Sequence, residues 1–468
     1  MRLTKKELLL FFAVALVFLL IEIKGLLLIS PGDENTYFYM AKAISEGQIP
    51  YKDFFYAHPP LHILILSLVV KIFGTNFAVL KSSALIAMLI SSFFVYKTSL
   101  ELLKNRLNDK NYLLISFVCL FLYLFSFEIL FKGTFSLGIE FSLMFLQISF
   151  YLFLTNRHLS SGIFAGLAGL MRLYTLPIIF GMLIFLFVKK IHEKKIKDIL
   201  FFVSGFFATF MLTIVILTFT FGSKFTYPVF AYHLLKAKLP GQRITVYKNV
   251  LKDNWPIYFA FSLSVFIKNK KRFHVFYFII FIYFLFLLSL NVPADHYFMM
   301  PFSFMAITGG YSIVELIRRV RFKYLKYSLA VLLFALFLWN TVADVMFLER
   351  FGFLKFSPIS QMVDKIYSTD TNQILFGDDG IVSLLAFITN RKIALNYIDS
   401  NEMRFTSGLS NYYIFRDDLD KVNLSYIIYR ENRGLHQIKQ FREYADGRCK
   451  LDSEYTDLVE GIFLFYKC

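Results

Sequence analysis

Six stretches of this chain, Leu8–Ile21, Ser82–Tyr96, Tyr112–Phe127, Phe201–Phe221, Val275–Leu290 and Ser328–Trp339, carry almost no charge. About 20 apolar residues cross a bilayer as a helix, so runs of this kind read as membrane spans. The chain is 57% hydrophobic and 18% charged, with 59 Phe and 28 Tyr in 468 residues. A soluble fold this apolar lacks the polar surface to cover itself. The expected class is therefore a polytopic α-helical membrane protein. The first run lacks a small-x-small cleavage site and is followed by further spans, so it reads as a retained helix rather than a removed leader.

Net charge is +17, but its placement argues against nucleic acid. Lys189, Lys190, Lys194, Lys195 and Lys197 form one cluster, Lys268, Lys270, Lys271 and Arg272 a second, and Arg318, Arg319, Arg321, Lys323 and Lys326 a third. All three sit in short links between apolar segments and read as cytoplasmic anchors against anionic lipid. Phe201–Phe221 then runs outward, Trp255–Ile267 returns, Phe273–Leu290 runs outward, Tyr297–Ile317 returns and Tyr327–Met346 runs outward. Trp255–Ile267 is short for a span.

Two arrangements fit the first half. In one, Pro60–Phe73 lies along the outer interface and Gly162–Val188 is a hairpin turning near Arg172; in the other, Pro60–Phe73 spans and Gly162–Val188 is one long helix. Either gives about eleven crossings, with the N terminus cytoplasmic and the C terminus outside. The positive-inside rule favours the first, which keeps Lys104, Arg106, Lys110 and Arg157 in the cytoplasm. Asn35–Glu46 reads as a short amphipathic helix at the water boundary, with Tyr37, Met40, Ala41 and Ile44 on one stripe and Lys42, Ser45 and Glu46 facing away.

From residue 350 the pattern changes. Ile374–Gly377, Ile393–Leu395, Tyr426–Tyr429 and Ile462–Tyr466 read as strands, and Ile381–Ile388 and Asn411–Val422 as helices. The expected division is a transmembrane domain over 1–349, with a first external loop at 30–60, and a small extracytoplasmic α/β domain over 350–468. Cys119 lies inside an apolar run; Cys449 and Cys468 can pair if that domain is external. Asp378-Asp379-Gly380, at a strand end, reads as a turn.

The chemistry concentrates at a few polar positions. Asp33-Glu34 follows the first apolar helix, and carboxylates at such a place are costly to desolvate. Asp33 either caps the next helix or serves as a base, and the two are compatible. Glu34 is a ligand for hydroxyls or metal, or is solvated. Glu140 opens an apolar helix in Gly138-Ile139-Glu140-Phe141-Ser142-Leu143, where the helix dipole alone favours an acid. Arg172 ends Gly166-Leu167-Ala168-Gly169-Leu170-Met171-Arg172 and either binds an anion or snorkels. Between Gly222 and Asn254, Lys224, Lys236, Lys238, Arg243, Lys248 and Lys252 face one acid, Asp253, an excess that suits a specific anion or a solvated face.

The run Asp33-Glu34-Asn35-Thr36-Tyr37 … Gly47-Gln48-Ile49-Pro50-Tyr51-Lys52-Asp53 … Ala57-His58-Pro59-Pro60-Leu61 resembles the first external loop of the GT-C glycosyltransferases that use a lipid-phosphate sugar. Among them it is most similar to the protein-mannosyltransferase and aminoarabinose-transferase-like enzymes, over about residues 1–310. The resemblance implies an inverting transfer from a polyprenyl- or dolichyl-phosphate-linked sugar to a protein, lipid or glycan hydroxyl at the outer membrane face. Asp33 is then the base and Glu140 orients the acceptor or a metal, while Arg172, His233, Lys236 and Arg243 hold the lipid phosphate. His296 and Tyr297, in Asp295-His296-Tyr297-Phe298-Met299-Met300-Pro301, resemble a donor-pocket segment. His58 stands where the related transferases have the Lys of a Glu-Lys pair and is a candidate to hydrogen-bond the lipid phosphate, while Ala57 replaces the acid. A divalent cation is left open as cofactor. A lipid-linked-sugar flippase or transporter is the rival reading; it predicts mid-membrane charge and an internal repeat, and no repeat is found.

Overall fold

The computed structural model describes residues 3–106, 110–235, 242–267, 273–291, 293–349, 357–368, 372–457 and 460–468. The chain divides into two compact units that interleave along the sequence. A helical unit comprises Met1–Leu26, Ser82–Val215 and Leu239–Phe353; a mixed unit comprises Leu27–Lys81, Ile216–Lys238 and Leu354–Cys468. The described residues from 357 onward thus belong to one unit with Leu27–Lys81 rather than standing alone.

Among the described residues, Lys5–Leu26, Phe77–Lys104, Leu173–Ile191, Ile196–Phe221 and Lys323–Phe347 are long and apolar enough to cross a membrane. Shorter apolar helices accompany them, including Tyr112–Leu124, Ile139–Leu154, His158–Met171 and His274–Ser289. This is a multi-pass membrane protein. Its first helix opens on a reciprocal cap: Thr4 N–H donates to Glu7 Oε2 at 2.7 Å and Glu7 N–H to Thr4 Oγ1 at 3.3 Å. The other Glu7 oxygen takes Lys104 Nζ at 2.8 Å, fastening that start to a neighbouring helix.

Small residues bring the helices of this unit together, as expected where lipid supplies no hydrophobic drive between them. A Cβ on Gly162 would stand 2.1 Å from the Phe202 carbonyl oxygen, and one on Gly205 2.3 Å from that of Leu159. Two serines lock the next contact, Ser149 and Ser161 each donating to the other's carbonyl at 2.8 Å. Cys119 is fully buried against Gly310, as a packing residue.

The segment Gly162–Val188 breaks at Arg172, which takes an extended backbone (φ −150°, ψ 126°) between His158–Met171 and Leu176–His192. The first arrangement expects a hairpin turning near this residue, and the helix is interrupted there. Leu61–Phe73, of 13 residues, reaches about 20 Å, short of a hydrocarbon core of about 30 Å. Trp255–Ser262, extended by a 3₁₀ turn to Phe266, is likewise short.

The mixed unit carries a five-stranded sheet: β1 Ile374–Gly377, β2 Lys392–Ile393, β3 Tyr426–Arg430, β4 Lys450–Asp457 and β5 Gly461–Lys467, in the order β2-β1-β3-β5-β4. β1 runs parallel to β2 and β3; β5 is antiparallel to β3 and β4. Gly377 is required at the end of β1: its φ is +144°, and a Cβ there would meet the Ile428 carbonyl oxygen at 1.8 Å. Cys449 and Cys468 flank the paired Lys450 and Lys467 and form a disulfide.

Three sequence expectations are corrected here. The helix Asp33–Ser45 is buried almost all round between Leu61–Phe73 and Asp379–Thr389, and Lys42, expected to face water, is buried with its ammonium on Asn390 Oδ1. Asp378-Asp379-Gly380 opens a helix instead of forming a turn. The strand expected over Ile393–Leu395 stops at Ile393, because Leu395 is left-handed (φ 54°) in a 3₁₀ turn.

Candidate functional site

In the mixed unit the acidic pair divides. Glu34 is buried and pairs with the equally buried Lys81 at 3.1 Å, so it is neither solvated nor open to a ligand. Asp33 is exposed and is the first residue of its helix, behind Gly32 at the N-cap position. Asn35 does the fastening instead: its Nδ2 donates to Ser30 O at 2.8 Å, Gly32 O at 3.1 Å and Gly380 O at 3.3 Å. That draws the starts of two helices together, with a Cβ on Gly380 only 3.0 Å from Gly32 N.

The same junction gathers further acids. Burial, Asp399 and then Asp33 push the Asp379 carboxyl well above the usual range. Burial also raises Asp378, to about 6, although its carboxylate accepts N–H bonds from Leu435 at 2.7 Å and Arg430 at 2.6 Å. Of these acids Asp33 is exposed, whereas Asp378 is buried. His58 lies half-buried with its ring 5.7 Å from Tyr56 and 6.3 Å from Tyr37, and Tyr51 OH donates to its carbonyl at 2.6 Å. His233 belongs to the short helix Tyr232–Leu235, and Lys236 lies outside the described residues.

The helical unit gathers a second set. Glu140 is fully buried at the start of Ile139–Leu154, behind left-handed Gly138 (φ 80°). Arg172, 2% exposed at the helix break, donates from Nη2 to the carbonyl of Leu137. Tyr174 feels the charges of both Arg172 and Glu140. Its ring lies 4.6 Å from Tyr297 and 6.4 Å from His296. Tyr297 and His296 therefore pack on Tyr174, two residues beyond Arg172. Arg243, in the same unit, stands over Tyr247 at 5.9 Å and donates to the Leu288 carbonyl. The basic stretch 222–254 is therefore divided between the units, not one loop.

Sequence reasoning missed Lys132. It bonds Asp295 at 2.7 Å and reaches Glu128 at 3.7 Å, one helical turn back. Burial raises Asp295, but the bonds from His296 and Lys132 outweigh it and hold this carboxyl below the usual range. The signal was present: Phe127-Glu128-Ile129-Leu130-Phe131-Lys132 carries two charges in an otherwise apolar run. Among the described residues no cluster of three or more His, Cys, Asp or Glu is placed to hold a metal ion.

Residues 57–219 match the family described as dolichyl-phosphate-mannose-protein mannosyltransferase. Two crystal structures of ArnT from Cupriavidus metallidurans superpose along the chain. The apo state gives a TM-score of 0.65 at 10% identity, covering 98% of this chain and 97% of ArnT. The state bound to undecaprenyl phosphate gives 0.68 at 11%, covering 99% and 98%. The chain has the GT-C fold. It is similar to ArnT in architecture and to the protein mannosyltransferases over the matched segment. A search of curated proteins finds no match.

Proposed function

We propose that this GT-C protein is an inverting glycosyltransferase that moves a sugar from a polyprenyl- or dolichyl-phosphate-linked donor to an acceptor hydroxyl at the outer membrane face. Asp33 is the observation that carries the reading: an exposed carboxylate at the first position of its helix, beside Asp379, whose carboxyl burial and neighbouring acids push well above the usual range. The match to the mannosyltransferase family supports a dolichyl-type donor, and the ArnT complex with undecaprenyl phosphate supports a polyprenyl one.

The reaction is a single displacement. The acceptor oxygen attacks C1 of the sugar while its proton passes to Asp33. The bond between C1 and the phosphate oxygen breaks, and its electron pair leaves with the lipid phosphate. Arg172 stabilises that anion, with His296 and Tyr297 shaping the donor pocket. Glu140 orients the acceptor. The C-terminal residues lie outside the cytoplasm, in keeping with a Cys449–Cys468 disulfide, and the N terminus lies inside.

The test is transfer from labelled lipid-phosphate sugars by purified protein, wild type against Asp33→Asn. Transfer by the wild type, with a loss of about 10²- to 10⁴-fold in the variant, is expected for a removed base. Equal rates would remove Asp33 from that role. No turnover with any donor would return the flippase reading.

A further inference from the structure

Lys132 ends the short helix Phe127–Lys132 in the helical unit, and it is only 6% exposed. Its ammonium lies 2.7 Å from Asp295 Oδ1. Glu128, one turn back, stands 3.7 Å from the same ammonium. Removing an ammonium from water is costly, and one partner held at close range is what makes it tolerable. The helix that carries the lysine is itself fixed. The Glu128 N–H donates to Asn254 Oδ1 at 3.1 Å, and Asn254 Nδ2 donates in turn to the Val250 carbonyl at 3.1 Å. Lys132 is therefore a cation held at a set position, and its burial keeps it from meeting a lipid phosphate itself.

The oxygen that Lys132 holds is the one that meets His296. Asp295 Oδ1 accepts the His296 backbone N–H at 2.8 Å and lies 3.3 Å from ring Nδ1. A carboxylate accepts and does not donate, so a bond at that contact requires the proton on Nδ1. Nε2, across the ring, is then directed away from Asp295. On the other side of His296, the Tyr283 hydroxyl donates to the Tyr297 carbonyl at 2.8 Å. The histidine is thus braced on both sides along the chain, with its ring 4.8 Å from Tyr297 and near Tyr174. A cap on the turn Asp295–Met299 accounts for the backbone bond, but not for a buried lysine on the same oxygen.

Resting on the transferase reading above and its placement of His296 at the donor pocket, we propose that Lys132 and Asp295 are positioning residues for the donor. Lys132 fixes the Asp295 carboxylate, and the carboxylate orients the His296 ring so that its Nε2 edge faces the phosphate of the lipid carrier. Neither residue touches the donor; both act through the imidazole.

Binding of a polyprenyl phosphate to the purified full-length protein, with the matching polyprenol as control, tests this without any transfer. Lys132→Met should weaken the phosphate about 10- to 10²-fold and leave the polyprenol unchanged. Lys132→Arg should recover most of the loss, since it keeps a cation on Asp295, and Asp295→Asn should act in the same direction as Lys132→Met. Coupling separates positioning from mere support of the fold. In a His296→Gln protein, Lys132→Met should cost no more than about twofold, because the ring it positions is gone. An equal loss in both backgrounds would make Lys132 structural and overturn the proposal. So would full binding by Lys132→Met, equal weakening of the polyprenol, or normal binding by His296→Gln. Should Lys132→Met fail to fold, the cycle of Asp295→Asn with His296→Gln decides in its place. Coupled binding in a protein that transfers no sugar would keep the positioning while sinking the transferase reading. Transfer by the wild type, with the variants uncoupled, would do the reverse.

Discussion

The two units handle charge in opposite ways. In the helical unit, Glu140 and Arg172 are buried beside Tyr174, and the arginine spends a donor on a backbone carbonyl. In the mixed unit, Asp33 is open to solvent, while the acids beside it are pushed toward their neutral forms. A buried cation is already desolvated and pre-oriented, which suits stabilising a leaving anion. An open carboxylate can exchange its proton with water between turnovers, which suits a base.

The largest expected effect tests that assignment directly. Asp33→Asn should lower kcat by about 10²- to 10⁴-fold while KM for the donor changes little. A change confined to donor KM would make Asp33 a binding residue and erase the contrast. Arg172→Gln should cost about 10²- to 10³-fold in kcat, and Arg172→Lys should recover only part of it, because an ammonium is a point charge and lacks the planar guanidinium's paired donors for a phosphate. Full recovery by lysine would reduce Arg172 to a point charge.

Stability supplies the next tests. Lys81→Met should destabilise the protein by about 3–5 kcal/mol in denaturant titrations, since Glu34 would be left buried without its partner. A negligible cost would show Glu34 to be reachable by water, and would restore it as a ligand candidate. Cys468→Ser should cost about 3 kcal/mol, because the bridge closes a short loop across 19 positions. The smallest effect concerns pH. Asp379 has a raised folded pKa, so its stabilising contribution is complete below the ordinary Asp value and is lost as pH rises through the raised one. Wild-type melting temperature should therefore fall more between mildly acidic and neutral pH than that of Asp379→Asn. Parallel curves would mean that the acids around Asp33 ionise independently.

Much of the fold was legible because its signals are local. The apolar runs at Leu8–Ile21 and Phe201–Phe221 lie within long helices, and the break at Arg172 stands where charge interrupts apolar sequence. β1 and the terminal strand were readable from their apolar composition. β4, Lys-Leu-Asp-Ser-Glu-Tyr-Thr-Asp, was not: as the sheet's edge it is largely solvent-exposed, so no buried face marks it in the sequence. Lys42 was misplaced because helical periodicity assumes a water-facing side, whereas its helix is covered by Asp379–Thr389, more than 300 residues later.

The candidate site divides in the same way. Residue type and motif were enough to single out Asp33, Glu140, Arg172, His296 and Tyr297. They could not show that Glu34 is committed to Lys81 or that Lys132 bonds Asp295. The sequence by itself determined the membrane class, several of the long apolar helices and the kind of groups available, because hydropathy and charge act over a few turns of chain. Only the tertiary structure decided which carboxylate stays open and which is consumed in an ion pair. That choice depends on partners far apart in the chain, and on how much water the packing leaves around each charge.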